Sequence, residues 1–426
     1  MFKTRKLLSL FLGLVLLLAM AGVAQAEEGG TLRVLLSEEP SASDAFGLTL
    51  KAWEEATGNK AEPLIIPYDD QLTKFPQMAR NNDLPDLVLT TRLTRLYPEE
   101  FVDLGTVMDM AIFEERAVQI IGQDYTTDRK TNLPLQFTIT NVYYNKDAFD
   151  KAGLEAPTVD SRWTMDEVYA NARILMEKGG VKYGMAVDGS RARYDNLMYM
   201  NGGSMVVEKD GAFQVAIHSQ ANIDTLNTFI AMNNEGVLPK SIWAGGTTDN
   251  PADYFANGDL GMYFSGSWNY NRFFAAELPF AFGVMPSPVG AVGGSAILGG
   301  SGLAVPNNAK NKDLAISFLR WLYEEEDGAH FQNYLNIDKG LSSLKAVTYQ
   351  PEAENAKADY AVLQAEVGQV TDLFSVDESS SWRNFLDNEY RDAIKQAVHG
   401  DMSAKEALEG FAQALAEKSG WALQVQ

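Results

Sequence analysis

Hydrophobic residues in the first third of the chain alternate between short continuous runs and helical stripes. The apolar runs at 32–36, 64–66 and 86–90 predict three strands. The segments between them, 46–56 and 70–80, carry apolar residues at helical spacing and predict two amphipathic helices. Strands that alternate with helices in this way are typical of βαβ units, so we expect an α/β fold with a mainly parallel sheet.

Further along the chain, the pattern predicts one unusually long extended segment and two sharply started helices. The β-branched and aromatic run at 133–145 is too long for one ordinary strand, so we expect it to pass between two domains. Thr164 with Glu167 and Ser403 with Glu406 both form the sequence signature of a capping box. Each pair therefore predicts the first turn of a helix.

The stretch 255–273, FANGDLGMYFSGSWNYNRF, combines a turn, a strand and a cluster of aromatic residues. Residues 260–264 predict a buried strand that breaks at Gly266, and the Ser267 hydroxyl is expected to cap the helix that follows. Trp268 would then lie at the carboxyl end of a strand, where α/β sheets bind ligands. A core position for Trp268 is the open alternative.

The amino terminus has the pattern of a secretory signal peptide. Lys3, Arg5 and Lys6 form a positive region, residues 7–20 are apolar, and Ala24 and Ala26 form a small-residue cleavage site. We expect cleavage after Ala26 and export of the mature protein. No later stretch is apolar for long enough to predict a membrane span.

Composition narrows the classes of function. The chain has no Cys, which excludes disulfides, zinc–thiolate sites, a cysteine nucleophile and a lipid-anchored cysteine; we therefore expect a periplasmic protein. The formal net charge of −22 makes nucleic acid and anionic membranes poor partners. The length of 426 residues is sufficient for two domains.

No motif predicts catalysis, a metal site or a cofactor. The chain lacks a G-x-S-x-G elbow, a P-loop and an HExxH sequence, and His218, His330 and His399 have no ligand spacing. We therefore expect neither enzyme activity nor a bound metal. Paired acidic residues such as Glu38 and Glu39 leave a secreted glycoside-active enzyme as an alternative, because two facing carboxylates can hydrolyse glycosides.

What remains is a set of aromatic and polar residues suited to binding a sugar. Flat aromatic rings pack on the apolar faces of sugars, while charged groups hydrogen-bond to the hydroxyls. The candidates from the residues alone are Tyr97, Tyr144, Tyr194, Tyr199, Trp243, Trp268 and Trp382, with Asp86, Arg92 and Arg383. Trp243 is equally open to interpretation as a residue that packs its own loop.

The chain resembles the extracellular solute-binding proteins of ABC importers, in the large sugar-binding family that includes maltose-binding protein. The resemblance runs through essentially the whole mature chain, and the order and spacing of its segments carry it. These segments are WEEATG at 53–58, LPDLVLT at 84–90, NVYYNKDAFDKAGL at 141–154, RWTMDEVYANARIL at 162–175, YFANGDLGMYFSGSW at 254–268 and GGSGLAVPNNAKNKDLAISFLRWL at 299–322.

The resemblance implies a two-lobed periplasmic binding protein fold, with three crossings between the lobes and a ligand cleft between them. The implied division is a signal peptide at 1–26, lobe 1 at 27–138 plus 289–341, and lobe 2 at 139–288 plus 342–426. The cleft residues carried over by the resemblance are Glu39, Asp86, Arg92, Tyr144, Trp268, Ser301 and Trp382.

The function that the resemblance implies is capture of a mono- or oligosaccharide by a monomer that delivers it to a membrane permease. Arg92 is a positively charged candidate for the ligand site, so a ligand with a carboxylate, such as a sugar acid, is an alternative. A sensory adaptor that binds the same ligands is a further alternative, because a fold does not fix a function.

Overall fold

The computed structural model describes residues 29–425, apart from 69, 91, 123–126 and 244–248. The predicted signal peptide lies outside the described residues. The strands are β1 (Thr31–Leu36), β2 (Lys60–Ile65), β3 (Leu87–Thr90), β4 (Leu133–Asn145), β5 (Tyr183–Val187), β6 (Val206–Lys209), β7 (Ala212–Val215), β8 (Leu260–Gly266), β9 (Phe282–Met285), β10 (Val289–Gly290), β11 (Gly293–Gly294), β12 (Leu298–Ala304) and β13 (Ala422–Leu423).

Helices cover both faces of the sheet. They are α1 (Ala45–Thr57), α2 (Gln71–Arg80), α3 (Leu93–Leu96), α4 (Glu115–Ala117), α5 (Lys146–Ala152), α6 (Met165–Ile174), α7 (Arg191–Met200), α8 (Gln220–Asn234), α9 (Pro251–Ala256), α10 (Tyr270–Ala275), α11 (Lys312–Tyr323), α12 (Ala329–Asp338), α13 (Glu354–Glu366), α14 (Asp372–Ser380), α15 (Arg383–His399) and α16 (Ala404–Ser419). Short 3-10 and π turns connect several of them.

Within the described part of the chain, eight strands form one mixed sheet in the order β2-β1-β3-β12-β4-β8-β5, with β9 paired to β4. Lobe 1 contains β2, β1 and β3, which are parallel, followed by the opposed strand β12. Lobe 2 contains the parallel pair β8 and β5, to which β4 is opposed. Each lobe therefore has one strand that runs against an otherwise parallel sheet.

The core of lobe 1 lies on both faces of β1. Leu32, Val34 and Leu36 pack toward Trp53 of α1 in one buried cluster, whereas Leu35 packs with Phe75 of α2 in a second cluster. Successive residues of a strand point to opposite faces, so a strand buried on both faces must be apolar at every position. This explains why the run at 32–36 is apolar except at Arg33, which is only half-buried and pairs with Asp83.

The long strand β4 links the two lobes. It pairs with β12 through Ile139 and with β8 from Thr140 onward, so the chain changes lobe at this point. Because β12 is antiparallel to both β3 and β4, the two latter strands run in the same direction, toward lobe 2.

The other two crossings lie later in the chain than residues 288 and 341, where the sequence places them. The β10–β11 hairpin belongs to lobe 2, since the amide of Val292 donates to the carbonyl of Met200 and the amide of Ala296 donates to that of Gln369. The amide of Lys345 donates to the carbonyl of Ile112, so the segment around 345 still contacts lobe 1. Here lobe 1 means 29–139 and 298–345, and lobe 2 means 140–297 and 354–425.

Both predicted capping boxes are present. The Thr164 hydroxyl accepts from the amide of Glu167 at the start of α6, and the Ser403 hydroxyl accepts from the amide of Glu406 at the start of α16. In both cases the glutamate side chain reaches back to the amide of the capping residue. The first predicted helix, at 46–56, is observed as α1, and Gly58 ends it with φ 75°, a left-handed conformation typical of helix ends.

Candidate functional site

The strand directions bring the loops of the two lobes to face each other. β1 and β3 run toward lobe 2, whereas β8 and β5, which oppose β4, run toward lobe 1. The carboxyl ends of these strands therefore meet between the lobes, the place where open α/β sheets bind ligands. We call these strand-end segments the interlobe face: residues 37–44, 66–68, 92, 188–193 and 266–271.

Trp268 lies in the short turn Ser267–Asn269 directly after β8, and its side chain is half-buried. Its indole rests against Gly266, so close that a Cβ at position 266 would lie 1.8 Å from Cζ3 of the ring. The lack of a side chain at Gly266 thus allows the indole to occupy this position. The structure places Trp268 at the interlobe face, as one of the two sequence interpretations expects.

Ser267 has a different role from the predicted helix cap. Its hydroxyl accepts a hydrogen bond from the amide of Ile139 on β4, at 3.1 Å, and forms no side-chain cap to the following turn. The reason is geometric: β8 ends beside the crossing, where the amide of Ile139 needs an acceptor. This bond ties the end of β8 to the crossing strand.

Arg193, near the start of α7, lies behind Trp268 with only 4% of its surface exposed. Its guanidinium carbon is 5.2 Å from the centroid of the Trp268 ring, within cation–π range. Nη1 donates to the carbonyl of Ser265 at 3.1 Å and also to the Thr140 hydroxyl. The buried Nε has no hydrogen-bond partner among the described residues.

Burial also changes the pKa of the Arg193 guanidinium. Desolvation lowers the pKa of Arg193 to about 10, and the nearby carboxylates of Asp188 and Asp195 partly oppose this change. The side chain therefore stays charged at neutral pH and presents a buried cation next to the indole. Asp188 itself is held by the Tyr263 hydroxyl, which donates to it at 2.6 Å.

Lobe 1 contributes a second arginine to the interlobe face. Arg92 follows β3, its guanidinium carbon lies 3.9 Å from the centroid of the Tyr68 ring, and it donates to the carbonyl of Tyr68. Tyr68 is 42% exposed, which is high for an aromatic residue. Glu39, in the loop after β1, is exposed at the same edge.

An ion pair joins the two lobes beside this face. Nη1 of Arg95, in α3 of lobe 1, lies 2.9 Å from Oε2 of Glu378, in α14 of lobe 2. The other carboxylate oxygen of Glu378 pairs with Arg383 of the same lobe. The Glu378 side chain is only 8% exposed, so this carboxylate is held between two guanidinium groups with little access to water.

Three of the predicted site residues, Trp268, Arg92 and Glu39, thus lie at the interlobe face. Ser301 is half-buried on β12, opposite Gln136 and next to a register shift between positions 301 and 302. Arg383 lies beside the face and is committed to its ion pair with Glu378.

The structure corrects the placement of Asp86 and Tyr144. Each lies at the end of its strand that points away from the interlobe face. Asp86 precedes β3, is 1% exposed, and accepts from the amides of Arg33 and Asn311 at 3.0 and 2.8 Å. Tyr144 ends β4, which runs away from the crossing in lobe 2, and its ring packs on Phe149 with 4.9 Å between centroids. Both serve the fold at a distance from the interlobe face.

The structure also corrects Trp243, Tyr199 and Trp382, which are core residues with at most 2% exposure. Nε1 of Trp243 donates to the carbonyl of Val187 at 3.1 Å, so the packing interpretation of this residue is the one observed. The Tyr199 hydroxyl donates to Asp377 at 2.8 Å. The Trp382 ring packs edge-on against Tyr390 and Phe411.

Sequence reasoning missed Arg193, Thr140 and Glu378. A signal for Arg193 exists in the pattern of α7, which has no amphipathic stripe because its residues from 193 to 200 are all buried. When a helix is buried on all sides and carries polar residues, those residues need hydrogen-bond partners within the protein. Thr140 and Glu378 carry no such local signal, since their partners come from distant parts of the chain.

The part of the chain that the structure describes contains neither a metal-binding cluster nor a membrane-spanning helix. No group of three His, Asp or Glu side chains in this part of the chain is arranged to hold a metal ion. No helix within it is long and apolar enough to cross a membrane.

The structure has two α/β lobes, and their strand-end loops face each other across a crossing. Proteins that close around a bound solute have this architecture. The comparisons with known proteins agree with this class. Residues 31–329 match the family of bacterial extracellular solute-binding proteins, and the chain belongs to that family. The resemblance inferred from the sequence is therefore confirmed.

Two relatives show how far the sequence similarity extends. A Brucella abortus (strain 2308) protein, described only as a candidate binding protein, is 24% identical over 379 residues, which cover 85% of this chain and 86% of the relative. The sn-glycerol-3-phosphate-binding periplasmic protein UgpB of Pectobacterium atrosepticum is 27% identical over 286 residues, covering 62% and 61% of the two chains.

Solved structures confirm the predicted fold class. MalE3 of T. maritima, with bound maltose, has a TM-score of 0.76 at 17% identity and covers 91% of this chain and all of its own. The substrate-binding protein Lmo0181 of Listeria monocytogenes, in complex with cycloalternan, has a TM-score of 0.74 at 18% identity over 92% of this chain and all of its own. At these identities the likeness establishes the fold.

Proposed function

We propose that this protein captures a carbohydrate between its two lobes and delivers it to the membrane permease of an ABC importer. The observation that carries the proposal is the half-buried indole of Trp268 at the carboxyl end of β8, backed by the cation of Arg193. An aromatic ring that is fixed in place and flanked by hydrogen-bonding groups suits a sugar, whose ring has apolar faces and a polar rim.

The similar structures support a carbohydrate as the ligand class. Two of them hold a maltose and a cycloalternan, and a protein of Bacillus subtilis that is 22% identical over 264 residues is named an arabinooligosaccharide-binding protein. We further propose that the chain is exported by the signal peptide at 1–26, is cleaved after Ala26, and acts as a periplasmic monomer. The family match to extracellular proteins supports this location.

A thermal-shift screen of the mature protein tests the proposal. The panel contains maltose, maltotriose, an arabinooligosaccharide and the common hexoses. Ligand binding to the folded state alone raises the melting temperature, so at least one sugar should produce a concentration-dependent increase. The absence of a shift with every carbohydrate would overturn the proposal.

A sugar acid or phosphorylated polyol is a second candidate ligand, favoured by Arg92 at the interlobe face. The Arg92 guanidinium lies over the Tyr68 ring, and Arg193 adds positive potential from behind Trp268. Arginine binds carboxylate and phosphate groups well because its planar fork matches their geometry.

The same screen separates the two candidates when it includes glucuronate and sn-glycerol-3-phosphate beside neutral glucose. An anionic ligand should give a larger shift than glucose, and that shift should fall as salt is added because salt screens the attraction. Equal shifts for glucose and glucuronate would favour the neutral sugar.

A further inference from the structure

The hydroxyl of Thr140 joins three parts of the molecule at the point where the chain changes lobe. Thr140 is the first residue of β4 that pairs with β8, and it is fully buried. Its Oγ1 accepts from the amide of Ile297 at 2.9 Å, directly before β12 begins. It also accepts from Arg193 and contacts Oδ1 of Asn196 at 2.8 Å, both in α7.

These contacts use the full capacity of one hydroxyl group. A hydroxyl accepts two hydrogen bonds and donates one. The Ile297 amide and the Arg193 guanidinium are obligatory donors, and the nearest acceptor for the hydroxyl proton of Thr140 is Oδ1 of Asn196 at 2.8 Å, whereas the Ile297 carbonyl lies at 3.4 Å. Nδ2 of Asn196 also lies within hydrogen-bond distance of this hydroxyl, at 3.1 Å. One side chain thereby connects the first crossing, the second crossing and α7.

Arg193 extends this junction to the candidate ligand site. The same guanidinium that donates to Thr140 and to the carbonyl of Ser265 lies 5.2 Å from the Trp268 ring. Gly266 limits the position of the indole from within its own turn. The orientation of Trp268 is therefore limited by Gly266 and by a cation that is anchored to the first crossing through Thr140 and to β8 through Ser265.

We propose that Arg193 is a positioning residue for ligand binding, which fixes the indole of Trp268 relative to the two crossings through the Thr140 hydroxyl. This proposal rests on the proposed binding role of Trp268. A lysine is not equivalent to Arg193 here, because its compact ammonium lacks the planar guanidinium that packs against an aromatic ring.

A ligand-free measurement tests the proposal. The protein is labelled with 5-fluorotryptophan, and the Trp268 resonance is assigned as the fluorine signal that is missing in Trp268→Phe. Arg193→Lys should shift or broaden this signal, and so should Thr140→Val, which removes the hydroxyl while keeping the shape of the side chain. Thr138→Val is the matched control, since Thr138 lies two residues earlier on the same face of β4.

The results separate positioning from a general loss of structure. The proposal predicts that Thr140→Val changes the Trp268 signal, that Thr138→Val leaves it unchanged, and that the remaining tryptophan signals stay at their wild-type positions in both. It is overturned when Arg193→Lys leaves the Trp268 signal unchanged, or when Thr138→Val alters it as much as Thr140→Val does.

Titration with maltose adds a functional readout that keeps this inference apart from the proposed function. When maltose binds the wild type, Arg193→Lys should weaken that binding roughly tenfold, as expected for the loss of a charged interaction. Unchanged affinity in Arg193→Lys would contradict the positioning role while leaving carbohydrate binding intact. When maltose does not bind the wild type, the result counts against maltose as ligand, and the fluorine spectra still decide the role of Arg193.

Discussion

At the scale of single residues, the contact between Gly266 and Trp268 makes a sharp prediction. Gly266→Ala would place a Cβ 1.8 Å from the indole, so the ring must move. The backbone at this position has φ −150°, which alanine adopts without strain, so the effect should fall on the indole. We expect sugar affinity to fall about tenfold, which corresponds to about 1.4 kcal/mol, within the range of an aromatic contact.

Gly299→Ala is the matched control, because the nearest atom to an added Cβ at this position is 3.6 Å away, an ordinary contact. Isothermal titration with the sugar that gives the largest thermal shift measures both variants. Equal affinities for Gly266→Ala and wild type would show that the indole position does not matter for binding.

Asp377 gives a prediction about pH. This carboxyl group is 1% exposed and accepts from the Tyr199 hydroxyl and from the amides of Met205 and Val206. Burial raises the pKa of Asp377 from 3.8 to about 7, despite these donors. The folded state therefore keeps this proton to a higher pH than the unfolded state does.

The sign of the resulting stability change follows from this difference. The stabilising contribution is complete below pH 3.8 and is lost as the pH rises through about 7. The free energy of unfolding should thus decrease between about pH 4 and about pH 7, by up to about 1.4 kcal/mol per pH unit for one proton. Denaturant unfolding at several pH values should show a shallower decrease in Asp377→Asn, and identical slopes would contradict the assignment.

Individual residues of the site were only partly predictable from the sequence. Trp268 could be placed at a strand end because both the strand and its break are local features. Asp86 was misplaced because it precedes its strand, and its acceptor role depends on Asn311, which is distant in the chain. Tyr144 was misplaced because β4 opposes β8, and strand pairing of this kind is not visible in local sequence.

At the scale of elements, the helix starts were the most predictable features, because a capping box is contained within four residues. Ser403→Ala removes the hydroxyl that accepts from the amide of Glu406. We expect the free energy of unfolding to fall by about 1 kcal/mol, a typical value for a lost helix cap, with sugar affinity unchanged. A denaturant titration measures the first quantity, and a loss of sugar affinity would contradict the local role of this cap.

The crossings were less predictable than the caps. The segment 279–306 is rich in Gly and Pro, and its sequence does not indicate which part belongs to which lobe. The backbone bond from Val289 to the carbonyl of Trp163 holds the β10–β11 hairpin on lobe 2, which moves the second crossing to residues 297–298. Contacts between distant segments decide where one lobe ends and the next begins, so the local composition of the sequence cannot predict these boundaries.

At the scale of the whole molecule, the ion pair between Arg95 and Glu378 favours approach of the two lobes. When the lobes separate, Glu378 keeps its ion pair with Arg383 and Arg95 keeps its hydrogen bond to the carbonyl of Ile120, so neither group loses all of its partners. The pair can therefore break and form again at low cost. We expect Arg95→Met to shift the protein toward more open forms, seen as a larger radius of gyration in small-angle X-ray scattering.

Arg173→Met is the control for this variant. Arg173 pairs with Glu235 at 2.6 Å, but both side chains are about half exposed and both belong to lobe 2. Its scattering curve should match that of the wild type. If the curve of Arg95→Met also matches, the ion pair does not influence the distance between the lobes.

Calorimetric titration of wild type and Trp268→Ala, with the sugar that gives the largest thermal shift, shows whether a sugar binds between the lobes on the indole of Trp268. Trp268→Ala should weaken binding by about 1 kcal/mol or more, the value of an aromatic contact, while the melting temperature without ligand changes little. Undiminished binding by Trp268→Ala, or unfolding of the ligand-free variant, would contradict this role of Trp268.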